Sequence, residues 1–335
     1  MDVRRELVGR TGPEAADADR PVESYTLVTG DGPAVTVWTY GATLVEVLVP
    51  DRRGRLDNVV RRLPDLDSYL DRARNPYVGS TVGRYCRGVR RARFDLDGVR
   101  YDLDRNDGAH HVHGGTTGFD RRVFAARVEQ TNPDEIAVVL RLVSADADQG
   151  YPGELTVDVA YRLHRSGRLT FDYRATTTAP TVVGLTNHAY WNLAGGGVVD
   201  GHRLALNAAR SVAFDADLLP VAGPPVDVTG GDLDYRSPRP IGGAALDNFF
   251  VLDDPAWAAE LSEPSSGRRM RVVTDQPGLG VYSADGFADR RGGLCLEAGA
   301  WPDAPNRPDF PSVRLDPGGT YRQRTVHHFT VDEAE

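Results

Sequence analysis

Leu155-Thr156-Val157-Asp158-Val159 alternates apolar and polar side chains at every step. In an extended chain successive side chains point to opposite faces, so Leu155, Val157 and Val159 line one face while Thr156 and Asp158 line the other, the pattern of a half-buried β-strand. Val35 and Val37, with Thr36 between them and Trp38 after, repeat it in β-branched residues suited to a pleated surface. Turn signals interrupt such runs at short intervals: Asp31-Gly32, Arg53-Gly54, Asp97-Gly98, Ser166-Gly167, Ser266-Gly267 and Pro317-Gly318-Gly319. Many strands joined by tight turns predict an all-β fold, an antiparallel sandwich or barrel. Helix signals are scarce, and the best is Leu63–Arg72, where Leu66, Tyr69 and Leu70 follow a proline.

The chain is 335 residues long, enough for one large β domain or two ordinary ones. No composition break or repeat divides the later residues, so a single sandwich domain over 21–332 is expected behind an N-terminal tail. Residues 1–20 show no apolar periodicity and predict a flexible tail, with order beginning near Tyr25. The net charge of −9 argues against a nucleic-acid partner. The arginines of one basic cluster, Arg84, Arg87, Arg90, Arg91 and Arg93, would alternate between faces in an extended segment and read as a solvated strand pair. Cys86 and Cys295 sit among apolar or aromatic neighbours and read as buried free thiols of a reducing compartment. No apolar run reaches membrane-spanning length, and the charged Asp2–Glu6 segment is followed by no signal-peptide core, so a cytoplasmic protein without a membrane partner is expected. Neither a G-x-G-x-x-G turn after a strand nor a phosphate-binding G-K-[ST] loop occurs, which disfavours nucleotide cofactors.

Four segments carry candidate chemistry. Leu294-Cys295-Leu296 reads as a buried strand, and Pro302, Pro305, Pro308 and Pro311 stiffen the loop after it, so Glu297 stands at a strand end beneath a rigid lid. A carboxylate held there is a candidate base, against the ordinary alternative of a solvated loop glutamate. In His110-His111-Val112-His113-Gly114-Gly115 the glycines allow a sharp turn that brings His113 to a ligand. His111 and His113 would share a face if extended, one geometry for a metal pair, but no third ligand is evident. In Thr186-Asn187-His188-Ala189-Tyr190-Trp191-Asn192, aromatic neighbours partly desolvate His188, which is either a proton-transfer group or a satisfied core histidine. Asp247 precedes the apolar Phe249-Phe250 and alone would read as a turn residue.

Together these segments resemble the aldose 1-epimerase (galactose mutarotase) family. The likeness runs through Tyr40-Gly41-Ala42-Thr43-Leu44, Asn75-Pro76-Tyr77-Val78-Gly79, Val82-Gly83-Arg84-Tyr85, His113-Gly114-Gly115, Gly150-Tyr151-Pro152-Gly153, Asn187-His188 and the Glu297 loop. It implies a large antiparallel β-sandwich, the galactose mutarotase-like supersandwich, which binds a small sugar or sugar-like substrate in an open cleft with no cofactor and no metal. By the same resemblance Glu297 is the base on the anomeric hydroxyl and His188 the acid on the ring oxygen, with His113 and Asp247 as sugar-contacting groups; Asn187, whose amide offers hydrogen bonds beside His188, and Arg87, if a local bulge turns it to the pocket, are further candidate sugar-binding residues.

The match departs from the family at hydroxyl-binding positions. Where the family typically reads A-N-R-I, this chain reads Cys86-Arg87-Gly88-Val89, which puts an arginine one residue early and a glycine at the usual arginine position. A common glutamine position is Gly280. Because a one-residue shift in a strand reverses the face unless a bulge intervenes, the expectation is an opened pocket and weak activity on ordinary hexoses. The chain then reads as an isomerase opening and reclosing a cyclic hemiacetal. The alternatives are a tailoring epimerase for a modified sugar or natural-product hemiketal, or a non-catalytic carbohydrate-binding protein.

Overall fold

The computed structural model of the protein describes residues 1–30, 32–254, 257–287 and 290–332. The run at 155–159 opens the strand Leu155–His164, paired antiparallel with Glu135–Ser144 on one side and Arg168–Thr177 on the other. These strands belong to a nine-stranded sheet that continues through Tyr321–Val331, Arg268–Thr274 and Ala259–Ser262. A six-stranded sheet packs against it, with Leu294–Ala298, Gly278–Tyr282 and Asp247–Val251 side by side. A five-stranded sheet made of the first strands completes the layers.

Among the described residues all strand-ladder pairs are antiparallel, and one core cluster joins the layers: Leu27, Val37 and Val47 from the five-stranded sheet meet Leu140, Val157 and Leu163 from the nine-stranded sheet and Leu279, Leu294 and Leu296 from the six-stranded sheet. The all-β sandwich expected from period-two patterning is the fold observed. The described turn signals fall between strands; Asp97-Gly98 joins Arg93–Leu96 to Val99–Asp102 with φ of 53° and 80°, the left-handed pair of a type I′ hairpin. Asp31, of the expected Asp31-Gly32 turn, lies outside the described residues. The helix expected at Leu63–Arg72 is shorter, Leu66–Leu70, and is capped by Asp65, whose carboxylate accepts from Ser68 N at 2.8 Å. Among the described residues no helix is long and apolar enough to cross a membrane.

Two expectations are corrected. The supposed tail is ordered: Asp2–Arg10 is a strand paired with Pro21–Val28, and Asp17 anchors the connection by accepting from Val123 N at 2.6 Å and Arg122 Nε at 3.1 Å. Its sequence lacks apolar periodicity because it is an edge strand with most of both faces in solvent, where charged side chains also discourage pairing with other chains. The arginine cluster is not a solvated strand pair, because the segment is mostly loop and two of its arginines turn inward. Arg84 is buried and donates to Ser144 Oγ and to the carbonyls of Ser144, Ala145, Pro152 and Gly153, while Arg87 points into the site described below.

Core and edge should respond differently to truncation. Leu140 is 0% exposed in the central cluster and Leu7 is 68% exposed on the first strand. Leu140→Ala is expected to cost about 2–5 kcal/mol in urea unfolding, while Leu7→Ala stays within about 0.5 kcal/mol. Equal losses would contradict this placement of the core.

Candidate active site

The six-stranded sheet builds the site through its register. Glu297 lies opposite Gly280, Gly280 opposite Phe249, and Tyr282 opposite both Cys295 and Asp247. Opposed residues share a face, so these side chains project from one side while Leu294, Leu296, Leu279 and Phe250 on the other side enter the core. The stiff loop after Glu297 closes one wall, with Trp301, Ala304 and Phe310 packed in a cluster with Tyr85 and Phe249. The resulting cleft has a volume of about 170 Å³ and is lined by Glu297, His113, Arg87 and Asp247 among others. A larger depression, about 480 Å³, lies on the face of the nine-stranded sheet turned from the core and holds none of these residues. Chemistry, rather than size, identifies the site.

Glu297 is 4% exposed and held on two sides. Arg87 donates through Nη1 to Glu297 Oε2 at 2.8 Å and through Nη2 to the Glu297 carbonyl at 2.6 Å. The other carboxylate oxygen, Oε1, lies 3.4 Å from His188 Nε2. Burial, the largest single influence, opposes the charge on Arg87, but the Glu297 carboxylate together with Cys86 and Tyr85 raises the guanidinium above its ordinary range. Burial, then the Arg87 cation, pushes His188 down to about 3. Burial, then His188, pushes His113 down to about 3 as well. Both imidazoles are therefore uncharged at neutral pH.

His113 sits in a turn at φ 54° rather than in a strand, and its Nδ1 contacts the Cys86 carbonyl at 2.8 Å. The turn demands the glycine that follows: at Gly114, with φ of 86°, a Cβ would lie 1.8 Å from the Gly83 carbonyl oxygen. Asp247 stands exposed at the cleft mouth, where partial desolvation and the Glu297 charge push its carboxyl up to about 6. Glu297, His188, His113, Arg87 and Asp247 thus converge.

Asn187 does not. Asn187 ends the short strand Thr186–Asn187, and while His188 just beyond it turns to Glu297, the Asn187 amide faces the core, donating to the Gly79 carbonyl at 2.7 Å and Tyr161 Oη at 3.1 Å. The His111 and His113 metal pair does not form either. His111 is buried with Nδ1 against the Asp104 carbonyl and Nε2 against Tyr151 Oη, both at 2.7 Å, while His110 Nδ1 accepts from Arg91 N. Among the described residues, His188, Cys295 and Glu297 bring ligand atoms within 4.8 Å of one another, the one grouping with metal-ligand composition. Burial pushes the Cys295 thiol far up and Glu297 is already paired with Arg87, so this donor set suits proton transfer better than a cation.

The opened pocket expected at Gly88 and Gly280 is also corrected. A Cβ at Gly88 would lie 2.7 Å from Leu219 Cδ2, and one at Gly280 would lie 2.8 Å from Arg87 Nη1. Leu219 and the Arg87 guanidinium fill those spaces, the latter also 5.2 Å from the Phe249 ring centroid. Sequence reasoning missed Tyr77, whose ring stands 4.7 Å from His113 and 5.8 Å from His188 and joins them into one aromatic wall. Its only local mark is the Asn75-Pro76-Tyr77 turn.

An all-β sandwich whose open face carries a buried carboxylate and two neutral imidazoles matches known proteins along nearly its whole length. The aldose 1-epimerase family profile covers residues 23–328. Galactose mutarotase from Bos taurus is 35% identical over 92% of this chain and 94% of its own, and aldose 1-epimerase from Escherichia coli K12 is 31% identical over 96% and 99%. The crystal structure of galactose 1-epimerase from Lactobacillus acidophilus NCFM superposes with a TM-score of 0.88 at 26% identity, covering 99% of each chain. The chain belongs to the aldose 1-epimerase family. It is an isomerase that interconverts sugar anomers.

Gly280 leaves room for the guanidinium that holds Glu297. Gly280→Ala should push Arg87 off the carboxylate and lower catalytic efficiency in anomerisation by about 10-fold or more, the scale of one charge-assisted hydrogen bond, and should lower the unfolding midpoint as well, because the buried carboxylate loses its charged partner. Unchanged efficiency would show that Arg87 does not position Glu297.

Proposed function

We propose that the chain interconverts the α and β anomers of free hexoses of the galactose and glucose type, with Glu297 and His188 as the proton-transfer pair. The observation that carries this is the buried contact of 3.4 Å between Glu297 Oε1 and His188 Nε2, made while Arg87 holds the other carboxylate oxygen.

Opening a cyclic hemiacetal needs a proton taken from one oxygen and one given to another. Glu297 takes the proton of the anomeric hydroxyl as the carbonyl forms at C1. The C1 to O5 bond breaks, and a ring N–H of His188 delivers its proton to O5. Glu297, now protonated beside His188, returns a proton to the imidazole, so none leaves the site. The two transfers are concerted, so His188 is neutral before and after the step and no anionic ring has to persist. Rotation about C1 to C2 and the reverse steps close the other anomer. His113 and Asp247 hold sugar hydroxyls in this reading.

A specialised substrate loses its motive once Leu219 and Arg87 fill the spaces beside Gly88 and Gly280. A pure binder has no need of a buried carboxylate and imidazole in contact. The two free buried thiols fit work in a reducing compartment such as the cytoplasm.

Polarimetry on fresh α-galactose and α-glucose tests the assignment. Glu297→Gln and His188→Asn should each lower turnover by about 100-fold or more, the usual scale for positioned proton transfer. Near-normal turnover in either variant removes that residue from its role.

Asp247 supplies the pH dependence. With its carboxyl raised to about 6, it is ionised and accepts hydroxyl hydrogen bonds above that pH and becomes protonated below it. KM should therefore rise as pH falls through about 6. In Asp247→Asn, KM should be raised and flat over the same range; an inflection that persists belongs to another group.

A further inference from the structure

The ring nitrogens of the two site histidines have unlike neighbours. His113 Nδ1 lies 2.8 Å from the Cys86 carbonyl oxygen, which can only accept. A neutral imidazole carries one N–H, so that hydrogen is on Nδ1, and Nε2 of this cleft-lining residue is a bare lone pair. His188 is the reverse. Its Nε2 faces Glu297 Oε1 at 3.4 Å, where a bare nitrogen would oppose carboxylate charge, while its Nδ1 lies 3.5 Å from Cys295 Sγ. The thiol can offer that nitrogen a proton, and with the hydrogen placed on Nε2 by the facing carboxylate, Nδ1 is the acceptor in this contact. Tyr190 also lies against the sulfur, but its hydroxyl donates to the Pro76 carbonyl at 3.1 Å, and an imidazole nitrogen is the stronger acceptor for the S–H.

We propose that the two histidines are held as opposite tautomers, His188 with its hydrogen on Nε2 and His113 with its hydrogen on Nδ1, and that Cys295 is the positioning residue that sets the His188 tautomer. This rests on the proton-transfer reading of His188 and extends it. Cys295 and Glu297 stand two apart on one strand, so one face of that strand presents the base and, beside it, the group that aims the partner imidazole. The cleft then offers the sugar a donor at His188 Nε2 and an acceptor at His113 Nε2, the complementary pair that a ring oxygen and a hydroxyl require. Burial keeps the thiol protonated by pushing it far above its ordinary range, so it remains a donor throughout. The ring also keeps its angle: Tyr190 and Tyr77 pack on His188 at 5.0 and 5.8 Å. The ring nitrogen fixed by an outer partner is a general way of choosing which nitrogen acts.

Nitrogen-15 NMR of the intact protein labelled at histidine tests the tautomers without reference to activity. The expected result is a protonated-type Nε2 and an unprotonated-type Nδ1 for His188, and the opposite for His113, assigned with His188→Asn and His113→Asn. One tautomer for both residues, or the reversed assignment, overturns the proposal while leaving the role of His188 to be judged by the turnover of His188→Asn. For the thiol, Cys295→Ala should lower kcat by about 10-fold, the scale of one buried hydrogen bond, with KM within about 2-fold and with hydrogen appearing on His188 Nδ1. Cys295→Ser, which keeps a donor, should restore most of the kcat and the original nitrogen pattern. A Cys295→Ala protein with unchanged kcat and unchanged His188 nitrogens overturns the positioning role.

Discussion

The ion pair between Arg87 and Glu297 is the constraint around which the site is arranged. Both residues are under a tenth exposed, and a carboxylate so far from water is tolerated only with a charged, hydrogen-bonded partner. The guanidinium meets this with one bond to the carboxylate and one to the carbonyl of the same residue, fixing side chain and strand together. Burial first, and then the same cation, keeps His188 uncharged, so the side chain that holds the carboxylate also bears on the imidazole beside it.

The sheets supply the stiffness this arrangement needs. Leu294, Leu296 and Leu279 on the reverse of the six-stranded sheet interlock with the nine-stranded sheet, and a close-packed interior permits little sliding. On the open face the proline-rich loop is nailed down by Trp301 and Phe310 against Tyr85 and Phe249. The catalytic face is thus one side of a wall whose other side is core.

Local patterns in the sequence carried the strands, most turns and Glu297 itself, since alternation, Gly-containing dipeptides and a run of prolines all leave marks within a few residues. What they could not carry was register between distant strands. Arg87 and Glu297 are 210 residues apart, and only the folded pairing shows that the apparent one-residue displacement of the arginine is met by a glycine across the cleft. Asn187 turns to the core for a related reason: adjacency to His188 in sequence does not mean a shared direction, and its amide is spent on the Gly79 carbonyl and Tyr161 Oη. The first strand went unseen because an exposed edge has no buried face to impose a pattern. Arg84 misled because isolated charge says nothing of the five carbonyl and hydroxyl acceptors that a loop can gather around it.

The crowding of Arg87 against Gly280 also has a historical meaning. Neither residue can be exchanged freely while the other stays: a side chain at 280 collides with the guanidinium, and losing the guanidinium first strands a buried carboxylate. A lineage passing between this arrangement and one with a long polar side chain at 280 must therefore change both positions almost together, or cross an impaired intermediate. The two positions form one inherited unit, and a chain carrying this glycine should be searched for its displaced arginine before its pocket is judged empty.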